Sequence, residues 1–184
     1  MTVILPGFAA FTALAALAHS ESVALPGLVT MGGNLLFLMH VTPLIVTGTL
    51  AHSLAQRLAE AEDLAARAIQ RYDVSLALLS VTASAGAAWV IGRLAHSPAA
   101  TEAGRNTLFL AGLMLLAGAV HPQAATAAPV AWVFVVAFVG YRDFRRPWPW
   151  AVTLHPAGHL PTFFLCLAVF VGGLAALTRT RRPA

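Results

Sequence analysis

The residues that could do chemistry are few and widely spaced. His155 and His159 stand four apart, which on a continuous helix would turn two imidazole nitrogens to one face for a metal ion. The surrounding prolines and Gly158 work against such a helix, and no cysteine or carboxylate accompanies the pair, so interfacial or hydrogen-bonded histidines are the plainer reading and no metal is expected. A b-type haem needs axial ligands at matched depth on facing helices. Only His40 falls near the middle of a predicted span, while histidines 19, 52, 96, 121, 155 and 159 sit near span ends, where a boundary pair is the remaining option. Neither GxSxG nor HExxH occurs, and no paired aspartates lie within an apolar run. Lysine is absent, so the chain lacks the phosphate-binding lysine of a Walker A loop. Cys166, the single cysteine, has no internal disulfide partner and reads as a small apolar residue. No catalytic residue and no cofactor are therefore expected on this chain.

The elements that position these residues read as lipid-embedded. Hydrophobic residues make up 59% of the 184 and charged residues 10%, with a mean hydropathy of +0.78, a balance that the surface of a water-soluble domain does not tolerate. At roughly 20 apolar residues per crossing, the expectation is an all-α, polytopic membrane protein of about six transmembrane helices forming a single domain over 1–184. The predicted spans are 3–19, 28–51, 74–94, 106–120, 124–140 and 162–177, with 97–104 a connection and 141–161 an interfacial loop rich in arginine, tryptophan and proline. The first apolar stretch has no preceding cation and is followed by Glu21, so it reads as a span and not a cleaved signal.

Two features suggest partners. Between spans two and three, residues 53–72 place Leu54, Leu58, Ala61, Ala65, Ile69 and Tyr72 at helical spacing against a charged face, predicting an amphipathic helix at an aqueous boundary. Its polar face mixes both signs, unlike the cation-rich face of a lipid-surface helix. That leaves a solvated connector or a docking helix presenting Gln56, Arg57, Glu60, Asp63 and Arg67 to a soluble partner. Asn34 and His40, six apart in the predicted second span, are costly in lipid and serve either interhelical hydrogen bonds or a substrate path. The eleven basic residues, all arginine, are scattered between apolar runs, so the pI near 10.6 does not point to nucleic acid. Placing 53–72 inside puts arginines 57, 67, 71, 179, 181 and 182 inside and 93, 105, 142, 145 and 146 outside, which barely orients the chain.

The order of features resembles the permease subunits of bacterial ABC-2-type exporters. The pieces that carry the resemblance are the 53–72 stretch, the GRNTLFLAGLMLLAG hairpin start at 104–118, RRPWPWAVTLHPAGHLP at 145–161 and LCLAVFVGGLAAL at 165–177. The resemblance implies a coupling helix that touches an ATPase, a hairpin of spans four and five, and short external helices before span six. It further implies partners in two ATPase subunits that hold ATP and Mg, a second permease half identical or related to this one, and residence in the bacterial inner membrane. Family members usually open with an amphipathic helix before span one, whereas here an apolar run begins almost at Met1, as in an atypical or accessory half. Rival expectations are a small haem- or quinone-binding redox subunit and a structural subunit of a larger membrane complex.

Overall fold

Apolar, alanine- and leucine-rich runs bounded by proline and glycine fold as helices throughout the computed structural model, which describes residues 3–17, 22–26, 33–60, 66–143 and 146–180. Helix α1 (Ile4–Leu17) accommodates Pro6 in its first turn, where the missing amide hydrogen is not needed. A hairpin of β1 (Ser22–Pro26) and β2 (Gly33–Phe37) follows. A single 3-10 turn over Leu38–His40 then leads into α2 (Pro43–Glu60). Helices α3 (Ala66–Leu94), α4 (Pro98–Val120) and α5 (Ala124–Val139) come next. The short strands β3 (Tyr141–Asp143) and β4 (Arg146–Pro147) and a 3-10 turn over Val152–Leu154 precede α6 (Leu160–Thr180).

Two expected element bounds are corrected. The helix predicted over 28–51 begins only at Pro43; two short antiparallel hairpins stand beside the helices of a predominantly helical fold. Proline fixes the break: it has no amide to continue a helix from the preceding residues, yet it suits the first helical position. The amphipathic helix predicted over 53–72 lies partly outside the described residues. Residues 53–60 prolong α2, residues 66–72 open α3, and 61–65 lie outside the described residues. A 3.6-residue period looks the same in a separate helix and in the extension of one already begun. The connection predicted at 97–104 is the first two turns of α4. Ser97 caps it, its Oγ accepting from the Ala100 amide at 3.4 Å, and Pro98 occupies the first helical position.

Helix α4 is the axis of the packing. Leu110, Ala111 and Met114 are fully buried, with Phe170 and Leu177 of α6, Leu50 and Leu54 of α2, and Ala77 and Val81 of α3 around its middle and far end. Phe109 and Leu110 meet Val133 of α5 and Cys166 of α6. Phe11 of α1 packs with Val46 and Ala88, and Ala15 with Met39 and Ala103. These pairings run α1 to α6 alternately up and down. The segments 38–42, 95–98, 141–143 and 146–159 share one end, and the ends of α2 and α6 and the starts of α1 and α3 share the other.

Much of the exterior is apolar. Leu79, Trp89 and Val90 of α3, Phe134 of α5, and Phe164 and Val171 of α6 all face outward. Among the described residues three helical stretches, Arg71–Leu94, Pro98–Val120 and Leu160–Arg179, are long and apolar enough to cross a membrane, while α1 and α5 are apolar but shorter. In such helices association rests on close packing between small residues. Gly104 supplies it against Ala85 and Ala88, and Gly112 against Val169 and Phe170.

Candidate functional site

Among the described residues, three consecutive buried polar side chains stand near the start of α4. Arg105, Asn106 and Thr107 are 5%, 0% and 0% exposed, a concentration that is costly among apolar helices and is offset by hydrogen bonds to every side-chain polar atom except Arg105 Nε. Thr107 answers locally, its hydroxyl donating to the Ala103 carbonyl at 2.8 Å. The others reach across the fold to the segment before α6. Arg105 donates through Nη1 to the carbonyl of Pro156 at 2.9 Å. Its Nη2 donates to the carbonyls of His155 at 2.7 Å and Val152 at 3.4 Å, and to Asn106 Oδ1 at 3.2 Å. Asn106 Nδ2 donates to the Thr153 carbonyl at 2.9 Å. One turn back, Glu102 Oε1 accepts from the Ala157 amide at 3.2 Å.

The polarity of these contacts follows from side-chain chemistry. A guanidinium, all donor, collects the carbonyls that a 3-10 turn leaves exposed at its end, and a carboxylate, all acceptor, takes the neighbouring amide. The segment 151–157 is thereby held into the bundle end by side chains about fifty residues distant. Its own bonds shape it further: the Trp148 amide donates to Gly140, Ala151 to Trp148, Leu154 to Ala151 and His159 to Pro156. Gly140 is confined there, since a Cβ would press on the Val136 carbonyl oxygen and the Leu154 side chain.

Aromatic rings surround the anchored segment. Trp132 tilts on Phe109 at 4.9 Å and meets Trp150 edge-on at 6.1 Å, and Arg142 lies over Trp148 at 5.4 Å. Burial, with the Glu102 carboxylate nearby, raises the Tyr141 phenol above its ordinary pKa. Burial lowers the pKa of the His155 imidazole, the bond to the Ala151 carbonyl partly opposes this, and His159 and Arg105 add to the lowering.

His155 and His159 do come together. Their ring centroids are 4.9 Å apart with planes at 64°, although the residues between them form a turn and not the helix that the spacing would need. Among the described residues no group of three or more His, Cys, Asp or Glu side chains is placed to hold a metal ion.

The residues singled out in sequence are scattered. Asn34 lies in β2 opposite Leu25, and His40 closes the 3-10 turn at the bundle end, 6% exposed. They share no helix, which corrects the expectation of two polar residues on one span. Gln56 is exposed on α2. Arg57 and Glu60 fall in the last turns of α2 and Arg67 at the start of α3, while Asp63 lies outside the described residues. Cys166 is buried on α6.

Glu102, Arg105, Asn106 and Thr153 carry no role in the sequence reading. The available signal was a carboxylate and a guanidinium three apart ahead of an apolar run, which is costly in lipid unless partnered.

No protein-family model, curated protein or solved structure matches this chain.

Proposed function

We propose that the chain is a multi-pass protein of the bacterial inner membrane, with all six helices crossing the bilayer, and that it serves as a permease subunit of an ATP-driven exporter of the ABC-2 type. It carries no hydrolytic machinery in this reading. ATP and Mg belong to a separate ATPase, and the second permease half is another copy or a related chain.

The supporting observation is the build of α2 and α3. Leu50 and Leu54 of α2 pack on Ala77 and Val81 of α3 inside the main core, and both helices continue unbroken from there into the charged stretch, α2 through Gln56 and Arg57 to Glu60 and α3 from Arg67 through Arg71. A partner seated on Gln56, Arg57, Glu60, Asp63 and Arg67 would push directly on the helices that pack against α4. Coupling requires a partner whose contacts differ between nucleotide states, and two rigid helices joined to the core would transmit such a difference. The anchored 141–159 segment closes the opposite end of the bundle.

The test is a mild-detergent pull-down of the tagged protein from its native membrane, with mass spectrometry of what remains bound. Recovery of a soluble ATPase is expected, and its loss in the triple variant Arg57→Glu, Glu60→Arg, Asp63→Arg would locate the docking surface. Recovery of redox subunits, or of a complex without any ATPase, would overturn the reading.

A further inference from the structure

We propose that His155 and His159 form a two-histidine site for a divalent late first-row transition ion, Cu2+, Zn2+ or Ni2+, at the end of the bundle closed by the 141–159 segment. This does not depend on the export reading.

Three observations carry it. The first is the separation of the rings. Two imidazoles bound to one tetrahedral ion at about 2.0–2.1 Å per metal–nitrogen bond hold their centroids roughly 5 Å apart, and these rings stand at 4.9 Å. The second is tautomer control. His155 Nδ1 is 3.2 Å from the Ala151 carbonyl oxygen. A carbonyl only accepts, so in the neutral ring this nitrogen carries the hydrogen and Nε2 keeps its lone pair. His159 Nδ1 is engaged with the Thr162 hydroxyl, which can accept the ring hydrogen, and in that tautomer Nε2 is the second ligand. A metal-binding imidazole commonly has its other nitrogen fixed in this way by a backbone carbonyl or a similar partner.

The third observation is rigidity and access. His155 lies in the stretch whose carbonyls Arg105 holds, and His159 immediately precedes α6, bonded to Thr162 in its first turn. His155 is half-buried and His159 is exposed, so an ion reaches the pair from the aqueous side. No third protein ligand completes the group among the described residues, so water fills the remaining positions. That favours the nitrogen-preferring ions named above over Mg2+ or Ca2+, which take oxygen. Bound there, an ion would tie the anchored segment to the start of α6.

The experiment uses the full chain in detergent with a histidine-free affinity tag, titrated calorimetrically with Zn2+ and Ni2+. One ion per chain is expected. Affinity should fall roughly tenfold or more in His155→Ala, in His159→Ala and in Thr162→Val, the last removing only the hydroxyl that orients His159. His121→Ala, at the other end of the bundle, should bind as the parent does. Because a variant can fail to fold, the unsubstituted protein is also loaded with one equivalent of Cu2+ and examined by electron paramagnetic resonance, where coupling to two imidazole nitrogens is expected. No binding at millimolar ion, binding undiminished in the His155→Ala, His159→Ala double variant, or a Cu2+ spectrum without two imidazole nitrogens would each overturn the assignment.

Discussion

Gly112 of α4 and Gly173 of α6 meet backbone to backbone: a Cβ placed on Gly173 would stand 2.8 Å from the Gly112 carbonyl oxygen, and one placed on Gly112 would stand 2.6 Å from the Phe170 amide nitrogen. Neither approach can be relieved by turning a flexible side chain, because the obstructing atoms belong to the helices themselves. The two helices therefore hold their separation only while both positions lack a side chain.

Gly112→Ala and Gly173→Ala should each destabilise the fold by about 1–3 kcal/mol through overpacking. Gly172→Ala, where a Cβ meets nothing within 4 Å, should be close to neutral. Thermal unfolding in detergent, followed with a thiol-reactive dye, reads this directly because the buried Cys166 reports opening of the bundle. Equal unfolding temperatures for Gly112→Ala and Gly172→Ala would contradict the close crossing.

Removing the Arg105 guanidinium should free the segment before α6. Arg105→Met strands the carbonyls of Val152, His155 and Pro156, and hydrogen bonds to a charged group are worth about 1.5–3 kcal/mol each, without simple additivity. Faster amide hydrogen exchange over 151–157 is expected, with α5 little affected. Arg105→Lys should recover only part of the protection, since a point charge cannot match a forked donor. Unchanged exchange in Arg105→Met would rule out the anchoring role.

Charge on the outer face of α3 tests whether that face meets lipid. Leu79 and Val90 are 66% and 46% exposed, so in water Leu79→Arg or Val90→Arg would cost little. In a bilayer an arginine near the middle of a span costs about 2.5–3.5 kcal/mol on insertion scales. Both variants should show reduced membrane integration in a translocation assay, and Leu79→Ala should not. Wild-type integration of the arginine variants would place this face outside the membrane.

The start of α4 offers a local test. Ser97→Ala removes the cap on the Ala100 amide and should cost about 0.5–2 kcal/mol, read as a lower unfolding temperature, with Ser97→Asp retaining most of the stability. An unchanged temperature in Ser97→Ala would show that water replaces the cap at no cost.

Much of the helical framework was legible from local pattern. Residues 4–17, 124–139 and 160–180 are apolar runs with few interruptions, and the break at His121 and Pro122 separates α4 from α5 as its chemistry requires. The start of α4 was also written locally, in Ser97 followed by Pro98, but the polar residues after it read more readily as a connection. The β1–β2 hairpin was not legible, because its leucines and valines fit a buried helix as well as a strand when the run is short.

The candidate site divides along the same line. Composition and periodicity alone determined that the chain is mostly helical, that lipid suits its exterior, and that its ionisable residues are few enough for each to need an explanation. Those properties depend on neighbours along the chain. Only the tertiary structure decided that Arg105 and Asn106 hold the backbone of residues 152–156, and that the His155 and His159 rings meet edge to face across a turn. The backbone partners of Arg105 and Asn106 lie 47 to 51 residues away. No local period encodes such a separation, and the cost of leaving a guanidinium unpaired in an apolar bundle is met only once the helices have packed.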